Sequence, residues 1–256
     1  MNIGFFDSGL GGLTILKSVR DSLPEYAYAY LGDTANVPYG DKTEKEICIL
    51  ARAGIERLLK SGSQLVIVAC NTVSAESLRI LQDTVFNIEY PDRKVLGVII
   101  PTIETLSELH TKKALLIGTS RTISSGKYEY ELRKYCSQIL LKGIATPSLV
   151  SKIEMNDTEG AFIEFQKYVK GEIEAVDTLI LGCTHYTVLK EMIRAMYPDI
   201  HVLSQDEIIP TKIKKYLSNH PEIESKLDRS KSISIELTRE TEHYTRLKKN
   251  LFGLDS

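Results

Sequence analysis

Two cysteines stand in matched surroundings. Leu65-Val66-Ile67-Val68-Ala69-Cys70-Asn71-Thr72 reappears in outline as Thr178-Leu179-Ile180-Leu181-Gly182-Cys183-Thr184-His185. Each copy is a short apolar run, a small residue, a cysteine and a polar pair, and each continues into a stretch of helical pattern. The two thiols lie about one small domain apart. If two similar halves face each other across a cleft, two thiols on opposite sides of one carbon could take a proton from one face and return one to the other. That inverts a stereocentre. A single cysteine in such a run reads as readily as a small buried hydrophobe; the matched pair favours chemistry. Cys48, on an amphipathic helix, and Cys136, just after one, read as inert.

Both cysteines precede a predicted helix, and a helix N-terminus carries about half a positive charge, so the position is expected to lower a thiol pKa. Ligands of open parallel sheets bind beyond the carboxyl ends of the strands. Asp7-Ser8, Gly32-Asp33 and Gly118-Thr119 fall at such ends as well. Asp7-Ser8-Gly9-Leu10-Gly11-Gly12 can turn backbone N–H groups toward an anion, with the Ser8 hydroxyl beside them. Thr14 stands where a dinucleotide fingerprint needs its last glycine, and the Gly-Lys-Ser/Thr ending of a Walker loop is missing. A small carboxylate fits this turn better than a pyrophosphate. Asn71, Thr72, Thr119 and Thr184 offer neutral donors for the same carboxylate, although each also suits a helix cap. His185 could act as a general acid or orient the Cys183 thiol, or it could be a satisfied histidine beside a helix start. Glu154 reads locally as a surface carboxylate. Cys183 and His185 are spaced too closely for a familiar zinc pair, and no strand-end lysine stands ready for a pyridoxal Schiff base. No cofactor is expected.

Short apolar runs alternate with longer amphipathic stretches, which predicts an α/β fold with mostly parallel sheets. Strands are expected at Ile3–Phe6, Tyr28–Leu31, Leu65–Val68, Val95–Ile99, Ala114–Ile117, Leu140–Ala145, Thr178–Leu181, His201–Leu203 and Ile233–Leu237. Thr43-Glu44-Lys45-Glu46 has the form of a capping box opening a helix that Gly62 closes. Further helices are expected at Ser74–Val85, Pro101–Leu109, Ser125–Tyr135, Glu159–Val169 and Thr187–Met196, with another near the C-terminus. No long linker divides the chain. Short crossings near Asp92 and Asp206 would give a first domain of residues 1–92 with 207–256 and a second of 93–206.

The length allows substantial cores, and 43% hydrophobic with 26% charged residues is ordinary for a globular protein. A net charge of −2 gives no nucleic-acid footprint. Arg246-Leu247-Lys248-Lys249, balanced by Glu240 and Glu242, reads as a solvated helix face. No apolar run is long enough to span a bilayer, and Ile3-Gly4-Phe5-Phe6 opens without a signal peptide. Four cysteines without a dense framework suit reduced thiols in a cytoplasm.

Phe6-Asp7-Ser8-Gly9-Leu10-Gly11-Gly12, Val37-Pro38-Tyr39-Gly40, Ala69-Cys70-Asn71-Thr72, Gly118-Thr119-Ser120-Arg121-Thr122 and Leu181-Gly182-Cys183-Thr184-His185 together resemble, in order and spacing, the glutamate racemases of the cofactor-independent aspartate/glutamate racemase superfamily. The Thr-His after the second cysteine favours the glutamate branch. The resemblance implies two similar doubly wound α/β domains related by a pseudo-twofold, with the active site in the cleft between them. Cys70 would take the proton from D-glutamate and Cys183 from L-glutamate. Asp7 would assist Cys70, and Glu154 and His185 would assist Cys183. Substrate contacts would come from Asp7, Ser8, Tyr39, Gly40, Asn71, Thr72, Thr119, Thr122, Thr184 and His185. It also implies a cytoplasmic homodimer that supplies D-glutamate for peptidoglycan.

The chain departs from the family pattern at Ser151, where a proline usually precedes the assisting glutamate, at Val73, and at Arg239-Glu240-Thr241 in place of a usual Gly-Asp. It lacks the N-terminal extension that carries precursor-dependent activation in some relatives. Three rivals remain: a racemase of another acidic amino acid such as aspartate, a non-catalytic amino-acid-binding protein on the same fold, and a thiol redox protein using a Cys70–Cys183 disulfide.

Overall fold

In the computed structural model, which describes residues 1–253, nine strands form where the sequence predicts them. They are β1 (Asn2–Asp7), β2 (Tyr28–Gly32), β3 (Ser63–Val68), β4 (Lys94–Gly97), β5 (Lys113–Gly118), β6 (Leu140–Ala145), β7 (Thr178–Gly182), β8 (His201–Leu203) and β9 (Ile233–Leu237). Two sheets result, ordered β4-β3-β1-β2-β9 and β8-β7-β5-β6, and every pairing is parallel. Replacing β1 to β4 by β5 to β8 turns the first order into the second. The repeat seen around the cysteines is therefore a repeat of sheet topology, with β9 added at one edge of the first copy. β4 pairs with β3, so the first sheet runs on past residue 92, and the chain next enters the helix Ile99–Glu108.

In each copy the order of strands reverses between the first and third strand, which opens a crevice at their carboxyl ends. Asp7 ends β1 and Cys70 follows β3 beside it; Thr119 follows β5 and Cys183 follows β7 beside it. Strand alternation then aims the thiols. Leu65, Ile67 and Ala69 join one core of the first sheet, while Val66, Val68 and Cys70 join the core on its other face. Leu179, Leu181 and Cys183 share one core of the second sheet, and Ile180 points into the other. Both faces of both sheets are thus covered by helices, as parallel sheets require.

Thr43 caps the helix Glu44–Lys60 through the expected box: its hydroxyl accepts from the Glu46 N–H and its own N–H donates to Glu46 Oε2 at 2.8 Å. Other helices differ from expectation at their ends. Instead of Ser74–Val85, helix begins at Asn71, breaks at Ser77, passes through a π-helical turn, Gln82–Phe86, and ends with Asn87–Glu89. Ser125–Tyr135 is split by Gly126, whose φ of 61° interrupts the helix between Ser120–Ser124 and Lys127–Tyr135. Thr187–Met196 is a 3₁₀ stretch from Thr184 before Lys190–Met196 becomes α-helical. Val98 and Ile99, expected to continue β4, instead start the helix Ile99–Glu108. The helices Gly12–Ser22, Pro147–Glu154 and Gln205–Asn219 were not anticipated. Lys248 is not on a solvated face: it is buried and paired with Glu240 at 2.7 Å, while Leu247 packs on the first core. Among the described residues no helix is long and apolar enough to cross a membrane.

Gly54 lets the helix Glu44–Lys60 lie directly on the first sheet. A Cβ there would strike the ring of Phe6, which is wholly buried, and would lie 3.1 Å from Leu31 Cδ2. Alanine gains about 1 kcal/mol of helix propensity, but overpacking a rigid core costs about 1–3 kcal/mol. Gly54→Ala is therefore expected to lower the thermal midpoint by a few degrees; an unchanged or raised midpoint would show that the ring yields.

Candidate active site

The ends of β1, β3, β5 and β7 converge on one small cavity. Ser8, Tyr39, Gly40, Cys70, Asn71, Thr72, Thr119, Cys183, Thr184 and His185 line it, with Val37, Pro38 and Val150 supplying an apolar wall. Its volume is about 20 Å³, enough for a water molecule. A groove of about 820 Å³ elsewhere, along the helices that contain Arg79, Tyr130 and Tyr216, includes neither of these thiols. The chemistry-bearing groups belong to the small cavity.

On one side, the Cys70 Sγ lies 3.3 Å from the Ser8 hydroxyl. Asp7, fully buried behind them, accepts from the Gly12 N–H at 2.9 Å and from the Thr184 hydroxyl at 3.3 Å. Burial raises the Asp7 carboxyl above its ordinary pKa, although the positive charge of His185 and these donors oppose the shift. Burial, and then the Asp7 charge, push the Cys70 thiol up to about 12; the Ser8 and Val73 hydrogen bonds only partly offset them. This overturns the expectation of a thiol acidified by a helix N-terminus. The helix that follows Cys70 is six residues long, and its dipole is outweighed by desolvation and a neighbouring carboxylate.

On the other side, Cys183 Sγ is 3.7 Å from His185 Nδ1, and His185 Nε2 is 2.5 Å from Glu154 Oε1. Glu154 Oε2 accepts in turn from the Tyr244 hydroxyl at 3.0 Å. Burial alone would disfavour a charged imidazole, but the contacts with Cys183 and Glu154 win and hold the His185 pKa well above its usual value. An imidazolium donates from both nitrogens, which suits an acceptor on each side.

Thr72, Thr119 and Thr122 form a triangle of hydroxyls with edges of 3.0, 3.3 and 3.0 Å. Thr122 stands behind Thr119, whose hydroxyl accepts from the Thr122 N–H. Asp7, Glu154 and Thr122 thus support the cavity from behind rather than lining it. Asp33, also at a strand end, is turned away: it accepts from the hydroxyl of Tyr39 at 2.6 Å and from that of Thr238 at 2.8 Å, fixing the loop that brings Tyr39 and Gly40 to the cavity. All four cysteines are free thiols. Among the described residues no cluster of His, Cys, Asp or Glu is arranged to hold a metal ion.

Sequence reasoning missed Val150, Tyr128, Gln205 and Tyr244. Val150 and Glu154 ride on the helix Pro147–Glu154, whose readable signal was a proline at its first turn after Thr146. Tyr128, Gln205 and Tyr244 act through contacts distant in sequence and carried no local signal.

The sequence profile of the Asp/Glu/Hydantoin racemase family matches residues 14–209. A glutamate racemase of Hydrogenobaculum is 37% identical over 222 residues, covering 86% of this chain and 83% of the relative. One from Aquifex aeolicus is 35% identical over 256 residues, covering 99% and 94%. The crystal structure of glutamate racemase from Francisella tularensis in complex with D-glutamate superimposes with a TM-score of 0.86 at 27% identity, covering 99% of this chain and 94% of that one.

Two measurements read the charge balance. Alkylation of Cys70 by iodoacetamide at pH 7.5, followed by mass spectrometry of its peptide, is expected to be about a hundredfold slower than that of a free thiol and to rise without plateau up to pH 10; a plateau near pH 8 would contradict the assignment. Asp7→Asn keeps an acceptor for Gly12 but removes a carboxyl whose folded pKa lies above its unfolded value of about 3.9. Native Asp7 loses stability as pH rises through that folded value, so the variant is expected to melt a few degrees higher at pH 8, with the gain gone below about pH 4. An equal or lower midpoint at pH 8 would count against it.

Proposed function

The chain belongs to the Asp/Glu/hydantoin racemase family, and on that premise we propose that it interconverts L- and D-glutamate by proton transfer at Cα between two cysteines. The observation that carries this reading is that Cys70 and Cys183, each at the crevice of its own sheet, line one cavity with neutral donors between them. In the L-to-D direction Cys183 accepts the α-proton and Cys70 delivers one to the opposite face; the reverse direction exchanges their roles. Asp7 acts with Cys70, and Glu154 and His185 act with Cys183.

The α-proton of an amino acid is a very weak acid, so the site must favour the carbanion-like transition state over the bound substrate. Ser8, Asn71, Thr72, Thr119 and Thr184 supply donors for the carboxylates, and the buried setting strengthens each contact. A cavity of about 20 Å³ is smaller than glutamate, so substrate enters as the walls part and water leaves as they close. The product fits D-glutamate supply for peptidoglycan, and a cytoplasmic homodimer fits the same reading. Aspartate is the second substrate to test.

The experiment is incubation of each glutamate enantiomer in deuterium oxide without added cofactor, followed by circular dichroism and Cα deuterium analysis. Early in the reaction the product enantiomer should carry deuterium while remaining substrate keeps protium, as two separate bases require. Cys70→Ser and Cys183→Ser should each reduce racemisation by about a thousandfold or more. Tight glutamate binding with no exchange points to a binding protein, and preferential turnover of aspartate to a different specificity. Racemisation equal to the unmutated protein in both serine variants would refute the mechanism.

A further inference from the structure

Asn71 is buried, and only one end of its amide is satisfied within the protein. Its Oδ1 accepts from the Tyr128 hydroxyl at 2.6 Å and from Gln205 Nε2 at 3.3 Å. Its Nδ2 has no hydrogen-bond partner among the described residues. Leaving a buried N–H₂ unpaired is costly, so such a group calls for an explanation. The three residues come from separate elements: Asn71 opens the helix after β3, Tyr128 lies in the helix Lys127–Tyr135 after β5, and Gln205 opens the helix after β8. Gln205 Nε2 also reaches the Tyr128 oxygen at 3.5 Å, so the three groups close into a ring.

With Gln205 Nε2 donating, this ring favours one orientation of the Asn71 amide. Two donors converge on one atom, and only the carbonyl oxygen can accept both. Reversing the Asn71 amide alone would set its Nδ2 against Gln205 Nε2, donor against donor. Asn71 lines the cavity, whereas Tyr128 and Gln205 do not. Oδ1 is drawn back toward them, and Nδ2 is the end of the amide left without a partner among the described residues.

We infer that Tyr128 and Gln205 are positioning residues that lock the Asn71 amide so that Nδ2 is presented as a donor to a carboxylate oxygen of the bound amino acid. The inference rests on the racemase reading for the identity of that ligand; the lock itself does not. Neither residue touches substrate. Both belong to elements of the second sheet's half or of the crossing back to the first, so the donor on the Cys70 side is aimed by groups from across the cleft.

The test combines steady-state kinetics with NMR of the whole protein. Tyr128→Phe is expected to raise KM for glutamate about tenfold while kcat stays within about twofold, the pattern of binding lost equally from ground and transition states. In an Asn71→Ala background the same substitution should leave KM unchanged, because the group it orients is gone. A rise of the same size in that background, or no rise in the Asn71-containing protein, overturns the inference. If Tyr128→Phe lowers the melting midpoint, Gln205→Met removes the other donor and should show the same split between KM and kcat. In substrate-free protein the Asn71 ¹³Cγ resonance should move upfield in Tyr128→Phe as its carbonyl loses a donor. If the unmutated protein fails to racemise glutamate, the racemase reading falls while this resonance still reports on the lock. An unmoved resonance sinks the lock itself.

Discussion

The site depends on two turns meeting backbone to backbone, an approach that only glycine allows. A Cβ on Gly11 would lie 2.5 Å from Thr184 Oγ1, 2.6 Å from the Thr184 carbonyl carbon and 2.7 Å from the His185 nitrogen. The turn after β1 is therefore pressed against the turn after β7, and this brings the Thr184 hydroxyl onto Asp7 and the His185 charge near it. A second close approach brackets the cavity on another side, where a Cβ on Gly40 would lie 2.8 Å from Thr119 Cβ. The glycines that read as an anion-binding turn in the sequence thus have a prior duty. They let strand ends of two different sheets share one small volume.

That closeness makes the charge problem collective. Asp7 and His185 are shielded from water together, so the protonation of Asp7 depends on the charge of His185. The balance is uneven. Around Cys70, burial and then the Asp7 carboxylate raise the thiol pKa. Beside Cys183 stands an imidazole whose pKa the contacts with the sulfur and Glu154 hold well above its usual value. One backbone plan, used twice, sets a carboxyl beside one thiol and an imidazole beside the other. The repeat supplies geometry, and the side chains that differ between copies supply the polarity.

Much of this arrangement was legible in the chain. The nine strands and the Thr43 capping box were, because apolar runs and local caps are short-range signals. So was the pairing of Cys70 with Cys183, because the repeat carries its own register. Glu154 was not legible from local pattern: 31 residues separate it from His185, and Ser151 blurs the family motif nearby. The thiol shift at Cys70 was misjudged because a rule about helix ends sees only the dipole, whereas the sign is set by Asp7 and by burial, both products of tertiary folding. Tyr128 and Gln205 belong to the same class. Their role exists only once β3, β5 and β8 deliver three helix starts to one place.

The unevenness has a consequence that thermodynamics constrains. L- and D-glutamate have equal free energies in solution, so for a racemase the ratio of kcat/KM in the two directions must be one. Whatever the protein does to hold Cys70 protonated cannot favour one enantiomer overall. It can only move free energy between binding and turnover within each direction, raising kcat and KM together for one enantiomer and lowering both for the other. The polarity of the site is therefore free to vary without changing the equilibrium. What cannot vary is the geometry that brings Cys70 and Cys183 to one cavity, and that is held by the backbone approach at Gly11 and by the packing of Gly40 against the Thr119 side chain.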